Sequence, residues 1–252
     1  MLQKSTSFPG VAGPVVVVVM DGYGLPRNDT GSAIAAAVKP NLDRLFAECP
    51  HIRLRAHGTA VGMPSDDDMG NSEVGHNAIG AGQVYAQGAA LVANAIASGA
   101  IWQGEGWRQI VAGCGSGTLH FIGLFSDGNV HSHIDHLKAM VAQAKAEGLK
   151  RVRIHALLDG RDVPETSALD YVLPFEAFLA EISDAGFDAR IASGGGRQNI
   201  TMDRYDANWA MVEKGWQTHV LGEGPQFASA GEAVQALRER RPGTIDQDLP
   251  PF

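Results

Sequence analysis

The 252-residue chain has only two cysteines, Cys49 and Cys114. Two thiols build no disulfide framework, and they fit a reducing compartment as free buried side chains. Long apolar runs are also missing. The longest, Val15 to Met20, falls far short of the roughly 18 residues that mark a membrane-spanning helix. The first thirteen residues carry one Lys and none of the apolar core of a secretory signal. These absences predict a cytoplasmic protein with no membrane partner. Positive charge is scarce as well: 20 Lys and Arg face 28 Asp and Glu, a net charge of −8. Such an acidic chain is a poor non-specific nucleic-acid binder, so any anionic ligand needs positive charge gathered locally.

Apolar side chains are not lacking. At 44% hydrophobic and 19% charged residues the chain has the composition of a globular core, which excludes a disordered chain. Glycine is in excess, 31 of 252 residues, against an average near 7%. The glycines fall in short polar clusters after apolar runs. Pro14 to Met20 is a β-branched run ending in Asp21-Gly22, which reads as a strand buried on both faces. Thr118 to Phe125, Arg151 to Leu158 and Asp188 to Ser193 read as further strands, each closed by a polar or glycine-rich turn. Between them, 41–48, 91–96, 107–111, 136–147 and 205–214 have helical spacing, with Gly148 stopping the fourth. Ser167 and Asp170 predict a capping box opening a helix to Asp184, kinked by Pro174, and Thr218 to Leu221 predicts a short strand. The alternation predicts an α/β fold with a mainly parallel sheet, whose ligands sit beyond the carboxyl ends of the strands.

The chemistry-bearing residues lie at those ends. Asp21 closes the first apolar run, where a carboxylate either caps the next turn or ligates a hard divalent cation. Ser72, in Gly70-Asn71-Ser72-Glu73-Val74-Gly75-His76, is either a helix N-cap or a nucleophile activated by a metal. Asp66-Asp67-Asp68 reads as a solvated acidic loop. His131, nearest the strand end, is favoured as a substrate ligand over His133 and His136, which share a side of the next helix; no zinc site is read from these histidines. Arg161 and Asp162 form a local salt bridge, or grip an anionic oxygen and move a proton. Arg197 and Arg204 flank Gln198 to Asp203 just after the glycine-rich Gly194–Gly196, and supply the local positive charge for a carboxylate or phosphate.

Taken in order, Val15 to Gly24, Met69 to His76, Ser126-Asp-Gly-Asn-Val-His-Ser-His133, Leu158-Asp-Gly-Arg-Asp-Val-Pro164 and Met202-Asp-Arg204 resemble the cofactor-independent phosphoglycerate mutases over nearly the whole chain. Ser193-Gly-Gly-Gly-Arg197 is similar to the branch of that family found in plants, trypanosomatids and some bacteria. The resemblance implies part of an alkaline-phosphatase-like domain over 1–82. It is followed by most of an inserted α/β substrate-binding domain over 83–252, cut short at its C-terminal end. It implies interconversion of 3- and 2-phosphoglycerate through a phosphoserine, with no 2,3-bisphosphoglycerate. Ser72 is then nucleophile and metal ligand, Asp21 a metal ligand, and Asp162 the acid/base. His131, Arg161, Asp162, Arg197 and Arg204 bind substrate. Two divalent ions, manganese by family habit, belong to the complete enzyme, and the site is incomplete in this chain. The expected assembly is a monomer. Gln83 stands where many relatives carry Arg, and Gln198-Asn199-Ile200 replaces a more aromatic stretch. The competing expectations are a metal-dependent phosphatase or phosphopentomutase-like relative, and a non-catalytic phosphoglycerate-binding module.

Overall fold

The computed structural model describes residues 5–25, 30–202 and 208–252, and the chain divides into two compact units, Met1–Leu54 and Arg55–Phe252. In the first unit two helices form, α1 (Ala33–Ala36) and α2 (Pro40–Glu48). Ser32 caps α1 by accepting from Ala35 N–H, and Pro40 occupies the first turn of α2, where its missing N–H costs nothing. The valine run differs from expectation. Val15–Met20 forms no strand, and these residues are exposed, Val16 by 78%. Composition favours a strand, but only a hydrogen-bonded neighbour makes one. No described residue supplies one.

The second unit carries α3 (Ser72–Ala81), α4 (Gly88–Ala97) and α5 (Glu105–Cys114). An alternating β/α series follows: β1 (Leu119–Phe125), α6 (Ile134–Ala146), β2 (Arg151–Leu158), α7 (Ala168–Ile182) and β3 (Asp188–Gly196). Then come α8 (Arg197–Ile200), α9 (Trp209–Trp216) and α10 (Ala230–Arg240). The sheet has the order β1-β2-β3 and is parallel throughout, with Leu119 opposite Val152 and Phe125 opposite Leu158. Alternate residues of β2 (Val152, Ile154, Ala156 and Leu158) pack with Val141 and Ala144 of α6, Val172 and Phe175 of α7, and Val234 of α10 into one core. This is the parallel, helix-covered sheet that the strand-turn-helix rhythm predicts.

Three local readings are corrected. Ser167 makes no capping box. Its backbone sits at φ −89°, ψ 2°, and its hydroxyl donates to Pro164 O at 2.8 Å. The first N–H of α7, from Ala168, instead meets Asp246 Oδ2 at 2.7 Å, and Arg238 holds that buried carboxylate. A distant acid has taken the role of the local hydroxyl. Thr218–Leu221 is no strand either: Gln217–Leu221 continues α9 as a π-helical turn, with Thr218 Oγ1 donating to Lys214 O. Finally, Gly194–Gly196 ends β3 instead of forming a turn.

Those glycines serve a close backbone approach. The chain at 247–252 runs along the end of β3, where Gly194 N–H donates to Phe252 O at 2.9 Å and Gly196 N–H to Leu249 O at 2.9 Å. A Cβ on Gly196 would overlap Gln247 O, and one on Gly194 would strike the Phe252 ring. Gly196→Ala should therefore lower stability by about 2 kcal/mol or more through forced backbone movement. Gly123→Ala on β1, with open space around it, should change little. Urea denaturation of the two variants checks the pair.

The other face of the sheet carries a polar seam. His120 Nδ1 lies 2.9 Å from His155 Nε2, His155 Nδ1 2.6 Å from Ser193 Oγ, and Ser193 Oγ 2.7 Å from His219 Nδ1. A β-bulge aligns it: Ile154 pairs with Ile191 but His155 with Ser193, leaving Ala192 as the extra residue. Burial, then the neighbouring His219 and His120, push the His155 imidazole down to about 4 from 6.5. The unfolded chain then binds the proton more readily than the folded one. Stability is full above 6.5 and falls as pH drops through the window toward 4, by up to about 3 kcal/mol. Denaturation midpoints measured across that window should show the slope, and His155→Gln should flatten it.

Candidate functional site

Beyond the ends of β2 and β3 sits a buried ion triad. Arg197 opens α8 directly after β3, and its Nη1 donates to Asp159 Oδ1 at 2.7 Å and Asp162 Oδ2 at 2.8 Å. The Arg197 side chain is 3% exposed and that of Asp159 1%. Burial works against the guanidinium charge, but the hydrogen bonds to Asp162 and Asp159 outweigh it and raise its pKa, so Arg197 stays charged. Asp159 also shapes the loop. Its Oδ1 accepts from the N–H groups of Arg161 at 3.2 Å and Asp162 at 3.1 Å, and Gly160, between Asp159 and Arg161, has φ 68°. The local Arg161–Asp162 salt bridge does not form. Asp162 pairs with Arg197, while the Arg161 side chain is exposed with no hydrogen bond or ion pair among the described residues.

Ser72 is the first residue of α3, not its cap. Asn71 caps the helix, its Oδ1 accepting from Val74 N–H at 3.0 Å, which leaves the exposed Ser72 hydroxyl free of that duty. The Ser72 Oγ lies 3.3 Å from His76 Nδ1. That same nitrogen is 2.7 Å from Ser72 O, so it carries a proton toward the carbonyl and is no base for the hydroxyl. The segment is tied to the loop after β1 at two points. Asn71 Nδ2 donates to Val130 O at 3.4 Å, and Asn129 Nδ2 to Asp68 Oδ1 at 2.8 Å. Asn129 holds φ 55°, a left-handed conformation that asparagine tolerates better than most residues.

The acidic run is solvated at Asp66 and Asp67, but not at Asp68. Asp68 is buried and also accepts from Ser65 N–H and Oγ, and Asp66 accepts from Thr59 N–H at 3.0 Å. Orphan backbone donors in a glycine-rich turn recruit these carboxylates. His131 is exposed on the loop after β1 and lines a cavity of about 230 Å³ with His133, His136 and His155. His133 is the N-cap of α6, and burial followed by the His133 charge lowers the His136 pKa. Asp21 is exposed in a turn of the first unit. Arg204 lies outside the described residues.

The structure thus brings Asp162 to Arg197, and the Ser72 segment to the loop bearing His131. Sequence reading missed Asp159, Asn71 and Asn129. Asp159 alone left a signal, an Asp at a buried strand end before Gly, the pattern of a side chain that collects the next N–H groups. Among the described residues no group of three or more His, Cys, Asp or Glu could hold a metal ion, and no helix is long and apolar enough to cross a membrane. Asp159→Asn keeps the shape and removes one of two charges facing Arg197. Urea denaturation should show a loss of about 3 kcal/mol, whereas the exposed Arg161→Gln should stay within about 0.5 kcal/mol.

Residues 92–252 match the family model described as "BPG-independent PGAM N-terminus", and the chain belongs to that family. It is 55% identical over 242 residues to a "Probable 2,3-bisphosphoglycerate-independent phosphoglycerate mutase" of Leptospira interrogans serogroup Icterohaemorrhagiae serovar Lai. That match covers 94% of this chain and 44% of the relative. The 2,3-bisphosphoglycerate-independent phosphoglycerate mutase of Trypanosoma brucei brucei is 50% identical over 241 residues, with the same two coverages. Among solved structures, the phosphoglycerate mutase of Leishmania mexicana, in crystals at low cobalt concentration, superimposes with a TM-score of 0.83 at 51% identity. It covers 93% of this chain and 43% of that one. The chain spans under half the length of the relatives it matches, and is similar to their N-terminal portion.

Proposed function

We propose that this chain supplies the nucleophile and most of the glycerate-binding residues of an isomerase that interconverts 3- and 2-phosphoglycerate without 2,3-bisphosphoglycerate. The observation that carries the reading is the pair of links, Asn71 to Val130 and Asp68 to Asn129, that fasten the Ser72 segment onto the loop bearing His131. Ser72 Oγ gives up its proton to solvent and attacks phosphorus, the bond to the 3-oxygen breaks, and that oxygen takes a proton from the Asp162 carboxyl. After the glycerate turns, its 2-hydroxyl returns a proton to Asp162, the 2-oxygen attacks phosphorus, and the bond to Ser72 Oγ breaks, Oγ recovering a proton from solvent. Asp162 Oδ2 is engaged by Arg197, which leaves Oδ1 to meet that hydroxyl. Arg161, free at the surface, grips the carboxylate or phosphate as it enters. Arg197 holds Asp162 in place and, with Arg204 and His131, adds the positive and hydrogen-bonding partners an anion needs.

In this reading residues 1–82 belong to an alkaline-phosphatase-like domain and 83–252 to the inserted substrate domain, and the complete enzyme is a monomer. Two divalent ions, taken as manganese, would lower the barrier by neutralising the transferring phosphoryl group. Asp21 and Ser72 alone are too few donors to hold them.

The consequence is binding without turnover. The purified chain, titrated with 3-phosphoglycerate and manganese and followed by a coupled enolase assay, should show millimolar-range binding and no sustained product. Turnover by this chain would overturn the division of labour. In the full-length enzyme Ser72→Ala should abolish mutase activity. Near-parental activity there, or an absolute need for added bisphosphoglycerate, would sink the functional reading.

A further inference from the structure

One imidazole grips both ends of the segment that presents Arg197. His219, on the π-helical turn after α9, has Nδ1 2.7 Å from Ser193 Oγ and Nε2 3.5 Å from Thr201 Oγ1. Ser193 precedes Gly194–Gly196 and Arg197, and Thr201 follows α8 directly. The same helical element presses on α8 at two more places. Gly215 lets the backbone close on Ile200 O, where any Cβ would overlap, and Lys214 Nζ donates to Asn199 Oδ1 at 2.8 Å.

We propose that His219 is a positioning residue for Arg197: its neutral ring clips Ser193 to Thr201, fixes the turn that aims the guanidinium at Asp159 and Asp162, and lets go in acid. The functional importance of Arg197 rests on the reading above, but the clip itself does not.

The proton count explains the acid sensitivity. Ser193 Oγ has one proton and two imidazole nitrogens beside it, so it donates to one ring and accepts from the other. Both rings neutral satisfy this, and so does one extra proton. With both rings protonated, two N–H groups point at one oxygen and its own O–H has no acceptor. The titratable groups facing His219 from the sheet are His155 on β2 and, behind it, His120 on β1. On its own helix Lys214 is turned to Asn199. Among the described residues α8 adds no charge but Arg197, which is committed to its two carboxylates. Burial lowers the pKa of His219, and burial foremost lowers that of His155, so the clip is closed at neutral pH.

The test is hydrogen exchange at the amides of Thr201 and Met202, both of which donate to Arg197 O, with the β1 amides as a control for the fold. Rates at pH 7.5 and at pH 3.5, below the His155 value of about 4, are corrected for intrinsic exchange. In the parent chain both amides should exchange faster in acid than the correction allows. His219→Leu should raise their exchange about tenfold at neutral pH, the effect of losing roughly one hydrogen bond, and remove the extra acid response. His219→Asn, which keeps a donor or acceptor where Nδ1 stood, should be intermediate. If His219→Leu exchanges as slowly as the parent, or keeps the parent's acid response, the proposal fails. If the leucine variant loses β1 protection, the asparagine variant decides: parental rates at Thr201 and Met202 would refute the clip. No substrate enters this experiment. A chain that fails to bind 3-phosphoglycerate would refute the functional reading and leave this inference standing.

Discussion

A guanidinium that cannot shed its charge sits almost out of reach of water, and two carboxylates make that tolerable. Arg197 comes from the end of β3, and Asp159 and Asp162 from the loop after β2, so the ion triad spans two neighbouring strands. Burying one of these charges without its partners would cost several kcal/mol. The strand ends must therefore arrive together. Asp159 extends the constraint into the backbone by collecting the N–H groups of Arg161 and Asp162. The loop thus has its shape decided by the same oxygen that neutralises the arginine.

Around that triad the chain uses carboxylates from far away where nearby groups would serve less well. Asp246 caps α7 across a separation of 78 residues, and Asp68 reaches Asn129 across 61. Each long-range bond satisfies a buried donor and at the same time pins a loop near a strand end. The glycines have a related role. Gly194–Gly196 looks like a cradle for a ligand, yet what comes within a Cβ's reach is the chain's own backbone at 247–252. Bare backbone along the end of β3 lets that segment lie close enough to pair with it.

Much of this was legible because its causes are local. β2 appears over the predicted residues, β1 begins one residue late, and α6 stops where Gly148 takes φ 82°. Continuous apolar runs and helical spacing are properties of a short window, and a window suffices to read them. The failures are all partners from elsewhere. Nothing near Ser167 announces that Asp246 will cap α7. The bulge at Ala192 breaks the two-residue alternation, so Ile191 and Ser193, equal in parity, face opposite sides, and Ser193 joins the histidine seam unannounced. Thr218–Leu221 has strand composition but is continuous with a helix already under way. Of the candidate residues, Asp162 and Arg197 were visible as residue types near strand ends and Ser72 at a helix start. Asp159 and Asn71, which hold them, were not, because support is defined by distance and not by motif.

The exposed valines carry a colloidal consequence. Val15–Val19 has no ladder partner among the described residues and is 52–78% exposed. Five β-branched residues in a row without proline or charge are a template for cross-β growth between molecules. The net charge of −8 spreads repulsion over the surface but places none within the run itself, and salt screens it. Dispersion of the chain in solution is therefore a contest between long-range repulsion and a short adhesive run, and rising ionic strength weakens only the first of the two.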